Sequence, residues 1–125
     1  MFTHVLVGST DIPRSTAFYD AALGALEIEG QSFGSLRIYS KNHMSFEFTL
    51  PRNGEPACHA NGGTVGFAAA NSDAVDAFYA AGLAHGGFDE GAPGKRPNAP
   101  GNAYGAYLRD PDGNKICAFC QLSDG

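Results

Sequence analysis

Few residues of this chain of 125 have side chains suited to catalysis or metal binding, and they lie far apart in the sequence. Glu47 is an acid between Phe46 and Phe48, in a segment where apolar and polar residues alternate. If its strand lines a cleft, the carboxylate is a usable general base, whereas on an edge strand it would simply face water. His4 opens an apolar run and could be a metal ligand, a general base or a hydrogen-bonding group in a pocket.

Cys117 and Cys120 form a C-x-x-C pair in an Ile-Cys-Ala-Phe-Cys run that is typical of a strand. Residues three apart on a strand point to opposite faces, so one cation could hardly bind both thiols. No helix can follow to lower a thiol pKa, as redox pairs require. Cys117 shares its face with Phe119, and we expect it to be a small wall residue of a cleft. Three cysteines make no disulfide framework, which favours a reducing cytoplasm.

Charge and hydropathy exclude several classes of partner. The net charge is −5, and the only basic pair, Lys95-Arg96, lies in a Gly/Pro-rich stretch. No face therefore has the charge density that nucleic acid requires. No apolar run approaches the roughly 18 residues that cross a bilayer, and we expect neither a membrane partner nor export. Arg96 and Arg109 are candidate anion contacts, although we expect Arg109 to pair with Asp110 or Asp112.

An internal repeat organises the chain as a single domain, residues 1–125. The segment AFYDAAL at 17–23 recurs as AFYAAGL at 77–83, an offset of 60. The same offset aligns His4 with Thr64, each at the start of a short apolar run. Two modules follow from this repeat, and we place them at about residues 2–52 and 63–122.

Each module has the sequence pattern of a strand, a helix and three strands. Apolar residues recur at helical spacing in both helix-like segments, and Asp11 or Asn71, with their neighbours, can cap them. Residues 86–103, rich in Gly and Pro, are expected to form a long loop, and Asp110-Pro-Asp-Gly113 a tight turn. The remaining strands are predicted near 26–29, 35–40 and 44–50, then near 88, 103–109 and 114–122.

The ordered motifs resemble the vicinal oxygen chelate superfamily, the group of glyoxalase I, bleomycin-resistance proteins and extradiol dioxygenases. They are Thr3-His4-Val5, Phe18-Tyr19, and the run from Tyr104 to Asn114 that contains DPDGN. The loop 91–97 further resembles short glyoxalase-like proteins of bacteria. The resemblance implies an α+β fold in which two tandem βαβββ modules form a curled mixed sheet around a cleft. It also implies a homodimer.

In that family a divalent metal is held by one residue on the first and one on the last strand of each module. The equivalent positions here are His4, Glu47, Thr64 and Cys117, and we expect these four to converge in one pocket. Thr is a poor ligand and Cys is unusual at its position, so the metal site is degraded. The candidates for holding Zn, Ni, Mn or Fe are His4, Glu47 and Cys117.

The sequence leaves two functions open. The first is a glyoxalase-like lyase or isomerase acting on a small carbonyl compound or its thiol adduct, with Glu47 as the base and His4 polarising an oxygen. The second is a non-catalytic protein that sequesters a small, antibiotic-like molecule in the bleomycin-resistance manner. In either case we expect the ligand to contact Thr64, Arg96, Tyr104, Cys117 and Phe119.

Overall fold

The computed structural model describes residues 1–123, and its order of elements confirms two βαβββ modules. Neither helix in this part of the chain is long and apolar enough to cross a membrane. The first module consists of β1 (His4–Gly8), α1 (Ile12–Gly24), β2 (Gly30–Phe33), β3 (Leu36–Lys41) and β4 (Met44–Thr49). The second consists of β5 (Val65–Ala68), α2 (Ser72–Ala84), β6 (Phe88–Lys95), β7 (Ala103–Arg109) and β8 (Lys115–Gln121).

Each module forms its own four-stranded mixed sheet, with strand order β1-β4-β3-β2 in the first and β5-β8-β7-β6 in the second. The first and last strands of each module pair in parallel, and the other pairs are antiparallel. Val5 lies opposite Phe46 in the first sheet, and Val65 lies opposite Ile116 in the second. This shared register makes Glu47 and Cys117 structurally equivalent residues of the repeat.

Two of the predicted elements are wrong in their bounds. No strand forms at 26–29, because the chain turns there with Glu27 at a φ of 61°, and β2 begins only at Gly30. The predicted loop 86–103 instead contains β6, which runs from Phe88 to Lys95. This strand pairs with β7 through two register shifts, around Gly91 and Gly94. An edge strand tolerates glycine and proline at such irregularities, so a composition typical of loops is compatible with a strand.

The helices begin at the expected polar residues and share one core. The side chains of Asp11 and Asn71 accept hydrogen bonds from backbone N–H groups in the first turns of α1 and α2. Phe18 of α1 is fully buried beside Gly82 of α2, and a Cβ at Gly87, just after that helix, would lie 2.3 Å from its ring. Glycine at this position therefore allows the two modules to pack closely.

The DPDGN turn of the second module binds the first module through a buried carboxylate. Asp110 is 1% exposed, and its side chain accepts hydrogen bonds from the backbone N–H groups of Asp112 and Asn114 at 2.9 Å. The Asn114 side-chain amide donates to the same carboxylate at 2.8 Å. From α1 of the other module, the Tyr19 hydroxyl donates to it at 2.6 Å. Burial and the nearby carboxylate raise the pKa of Tyr19 well above its usual value, so this phenol stays a donor.

A second carboxylate of the same turn holds the start of α1. Asp112 accepts hydrogen bonds from the Thr10 backbone N–H at 3.0 Å and from the Ser15 hydroxyl at 3.2 Å. Arg14 lies 3.3 Å from the same side chain. The turn thus satisfies donors at the beginning of the helix while it joins the two modules.

We expect Tyr19→Phe to lower the free energy of unfolding by about 2 kcal/mol, because it removes a donor from a buried carboxylate. The matched control is Tyr79→Phe at the equivalent position of the repeat, where the hydroxyl donates to Asp89 on the surface. That variant should leave stability almost unchanged. Urea denaturation of the two variants measures both effects, and equal losses would contradict the role assigned to Tyr19.

Candidate functional site

The first sheet brings together the two predicted catalytic residues. His4 lies opposite Ser45 in the β1·β4 register, and Glu47 is two residues further along the same face. The Ser45 hydroxyl donates a hydrogen bond of 2.6 Å to Glu47 Oε2. His4 Nδ1 lies 2.9 Å from the Thr3 hydroxyl oxygen. A carboxylate fixed by a neighbouring hydroxyl, with an imidazole on the same face, is an arrangement suited to proton transfer.

The second sheet forms an aromatic wall around the equivalent position. Cys117 lies between Gly66 of β5 and Tyr107 of β7 in the strand register. Phe119 is on the same face, and its ring meets that of Tyr107 edge-on with centroids 5.6 Å apart. The ring lies across Gly105, where a Cβ would come within 2.5 Å of it. Cys117 and Phe119 therefore share a face, as strand parity predicted.

Two cations gather over the ring of Tyr107. The Arg96 guanidinium lies 5.5 Å from the ring centroid and the Lys115 ammonium 5.0 Å from it. Arg96 Nη2 donates to the Ala92 carbonyl at 2.6 Å, whereas its Nε is buried and lacks a hydrogen-bond partner within residues 1–123. We call this group of residues the Tyr107 cluster. It comprises Arg96, Tyr107, Lys115, Cys117 and Phe119.

The thiol of Cys117 is neutral at physiological pH. Burial raises its pKa to about 11, although Lys115 and Arg96 partly offset this rise. A protonated thiol is neither a nucleophile nor a ready metal ligand, because binding a cation would require loss of its proton. Cys117 is therefore best described as an apolar wall residue that lies beside two cations.

The divalent metal that the resemblance implies fits this set of donors poorly. Only His4 and Glu47 are of the types that bind such metals well, since Thr64 offers a neutral hydroxyl and Cys117 a protonated thiol. Within residues 1–123, no three side chains of the His, Cys, Asp and Glu types lie close enough together to hold an ion. Metal binding stays a prediction.

Within residues 1–123, His4, Glu47 and Cys117 do not form a group close enough to hold an ion, and the convergence of all four equivalent positions in one pocket stays a prediction. Thr64 lines a cavity together with Ser45, but His4, Glu47 and Cys117 do not line it. The two pairs of positions belong to two separate sheets. Each sheet holds its own half of the predicted site.

Two further candidates have partners that the sequence did not reveal. Tyr104 lies on the face opposite Cys117, and its hydroxyl donates to Asp76 of α2 at 2.6 Å. The expected pairing of Arg109 with Asp110 or Asp112 is wrong. Arg109 instead contacts Glu90 of β6 at 2.9 Å and donates to the Gly113 carbonyl at 3.0 Å.

Sequence reasoning also missed two residues of the half-sites. Ser45 and Lys115 were not candidates, although the strand patterns around Glu47 and Cys117 carried the necessary signal. Each lies two residues before the candidate on the same strand, and alternate residues of a strand share a face.

Comparison with known proteins agrees with the observed fold. The family model of the Glyoxalase/Bleomycin resistance protein/Dioxygenase superfamily matches residues 2–118. No curated protein matches the chain significantly. The crystal structure of a glyoxalase/bleomycin resistance protein from Albidiferax ferrireducens T118 is 52% identical, with a TM-score of 0.91 over 95% of this chain and 98% of that one.

Two more distant structures share the fold. A glyoxalase-related enzyme from Fulvimarina pelagi is 16% identical, with a TM-score of 0.76 over 95% of this chain and 86% of that one. A lactoylglutathione lyase from Agrobacterium tumefaciens is 22% identical, with a TM-score of 0.65 over 95% of this chain and 92% of that one. At these identities the likeness concerns the fold alone.

We expect Cys117 to react slowly with iodoacetamide despite its two cationic neighbours. With a pKa of about 11, only about one thiol in a thousand is ionised at pH 8. The double variant Cys58→Ser/Cys120→Ser isolates its reaction from those of the other two cysteines. The alkylation rate should rise about tenfold per pH unit through pH 10, because the thiolate fraction does so. A rate that levels off below pH 9 would show that Arg96 and Lys115 dominate over burial.

Proposed function

The chain belongs to the Glyoxalase/Bleomycin resistance protein/Dioxygenase superfamily, and we propose that it binds a small organic anion at the Tyr107 cluster without using a metal. One observation carries the proposal. Arg96 Nε is a buried donor without a hydrogen-bond partner in the described part of the chain. Leaving such a donor unpaired is costly, and an anion that draws the guanidinium outward would give Nε an acceptor and remove the cost.

The charges around the cluster favour an anionic ligand. Arg96 and Lys115 take no part in the ion pairs found within residues 1–123. The nearby acid Glu90 is already bound to Arg109. The Arg96 guanidinium over the Tyr107 ring has the fork of donors that a carboxylate accepts, and the Lys115 ammonium adds a second positive charge.

The same cluster supplies an apolar surface for the rest of the ligand. The edge-on rings of Tyr107 and Phe119 and the neutral Cys117 thiol lie next to the two cations. Binding sites commonly combine such apolar walls with a few placed polar groups. The ligand class that fits is therefore a molecule with an apolar or aromatic body and one or more carboxylates, which includes thiol adducts of glutathione.

A second candidate function is proton transfer by Glu47, and the 2.6 Å hydrogen bond from Ser45 beside His4 favours it. In this mechanism Glu47 removes the proton from the hydroxyl-bearing carbon of the thiol adduct and returns it to the neighbouring carbonyl carbon, while His4 gives a proton to the carbonyl oxygen and takes one back from the hydroxyl that becomes the new carbonyl. The substrate is isomerised and no other reactant is needed. The assay is turnover of the methylglyoxal–glutathione adduct, which Glu47→Gln should abolish without abolishing binding.

We further propose that the chain forms a homodimer in the cytoplasm. Leu6 and Phe33 are 53% and 60% exposed, and the strand register puts both on the face of the first sheet that carries Glu47. Covering this face with a second copy would bury both side chains and enclose the half-site. The three free cysteines favour a reducing compartment.

For the binding function, we expect Arg96→Gln to weaken binding of S-hexylglutathione by about tenfold or more, because it removes a charged donor. Arg52→Gln, which changes an exposed arginine between β4 and β5, is the matched control and should bind like the wild type. Isothermal titration calorimetry measures both. Equal affinities of the wild type and Arg96→Gln, or equal binding of benzoate and benzamide, would contradict an anion site at Arg96.

For the dimer, light scattering should give the wild type twice the mass of one chain of 13.0 kDa. Leu6→Glu should shift it to a single chain, since a buried charge at the interface is unfavourable. Leu83→Glu, at an exposed leucine of α2, is the control and should remain a dimer. A wild type of 13.0 kDa at micromolar concentration would refute the association.

A further inference from the structure

A cavity of about 660 Å³ lies between the two modules, and its lining does not include the residues of the Tyr107 cluster. Its walls include Leu23 and Phe46 of the first module, and Phe67 and Ala70 of the second. Within residues 1–123, Lys41 at the end of β3 is the only charged residue that lines it. We call it the inter-module cavity, and its volume is in the range that small-molecule sites occupy.

The internal repeat explains why this space exists. In the second module the turn between β7 and β8 has five residues, 110–114, and it fills the gap beside the start of α1. The equivalent turn of the first module, between β3 and β4, has only two residues, Asn42 and His43. Within residues 1–123 no hydrogen bond joins this shorter turn to the start of α2, and Asn42 lines the open space.

The residues beside the gap also differ between the modules, being polar before α1 and apolar before α2. Ser9 and Thr10 precede α1, whereas their equivalents at the offset of 60, Ala69 and Ala70, precede α2 and line the cavity. The Thr10 backbone N–H donates to the carboxylate of Asp112. The Ala70 backbone N–H has no partner in the described part of the chain, residues 1–123. The backbone before α1 thus binds the Asp112 carboxylate, whereas the equivalent backbone before α2 faces a cavity.

We propose that the inter-module cavity binds a small amphipathic carboxylate, with its apolar body between Leu23 and Phe67 and its carboxylate at Lys41. The ligand's carboxylate would take the place that Asp112 occupies in the other half of the repeat. Lys41 Nζ donates one hydrogen bond, of 3.2 Å, to the Leu26 carbonyl, which leaves two of its three protons for a ligand. With no acid among the lining residues of 1–123, a cationic ligand of the same size is disfavoured.

This site is separate from the anion site proposed at the Tyr107 cluster. None of the residues of the Tyr107 cluster lines the inter-module cavity. The two sites can therefore be tested separately by changing one lysine of each, Lys41 and Lys115.

The experiment is a titration of ¹⁵N-labelled protein with octanoate, octanol and octylamine, followed by amide chemical shifts. Octanoate should produce saturable shifts at Asn42, Met44 and Ala70, which line the cavity and are not paired with Cys117 or Phe119, and octylamine should bind at least about tenfold more weakly, since one charged contact is worth that much. Lys41→Met should weaken octanoate about tenfold and leave octanol unchanged. Lys115→Met, the control, should bind octanoate at these amides as the wild type does.

A second variant tests the apolar part of the site. Ala70→Phe should fill the cavity and abolish the octanoate and octanol shifts together, with thermal unfolding used to check that the variant is folded. If octanoate shifts only amides around Cys117 and Phe119, the anion binds at the Tyr107 cluster and the inference is wrong. It is equally wrong if Lys41→Met and the wild type bind octanoate with the same affinity.

Discussion

The contact between the two modules is organised around the buried carboxylate of Asp110. Burying a carboxylate without partners would destabilise the fold by roughly several kcal/mol. The Asp110 carboxylate instead accepts hydrogen bonds from two backbone N–H groups, one side-chain amide and one phenol. The phenol, Tyr19, is the only one of the four donors that belongs to the other module. The bonds within the turn fix its shape, and the bond to Tyr19 fixes where α1 lies against it. The position of the first sheet follows, because Tyr19 also stacks on Phe48 of β4.

Duplication has kept the backbone and changed the chemistry. The β1·β4 and β5·β8 registers are the same, so His4 and Glu47 have Thr64 and Cys117 as their equivalents. The first sheet retains an imidazole and a carboxylate, which can move protons. The second has a neutral thiol beneath two cations on an aromatic ring, which can hold an anion but is poorly suited to a metal. The turns differ as well. The acidic turn of residues 110–114 in the second module corresponds to the two-residue turn 42–43 in the first, which lies beside the inter-module cavity.

The sequence was sufficient for the fold because a repeat constrains two halves at once. The offset of 60 aligned β1 with β5 and α1 with α2, and strand parity put Cys117 and Phe119 on one face. Contacts made by long side chains could not be predicted in this way. Arg96 reaches the ring of Tyr107 from beyond the end of β6, and Arg109 reaches Glu90 across a strand pair that contains two register shifts. The periodicity of a strand predicts which face a side chain leaves from. The position of the charged group at the end of a long arginine or lysine side chain depends on the residues packed around it.

The net negative charge of the chain would disfavour anion binding if it were spread evenly over the surface, but the charges near each proposed site are positive. A net charge of −5 repels anions at long range, but salt screens that repulsion beyond about 8 Å. Within that distance the local groups decide, and the lining of the inter-module cavity and the Tyr107 cluster both carry cations without an acid of their own. The negative surface therefore slows the approach of polyanions, while a small carboxylate that reaches either site meets a positive potential. Such an arrangement selects for ligands of low charge with enough apolar surface to bind.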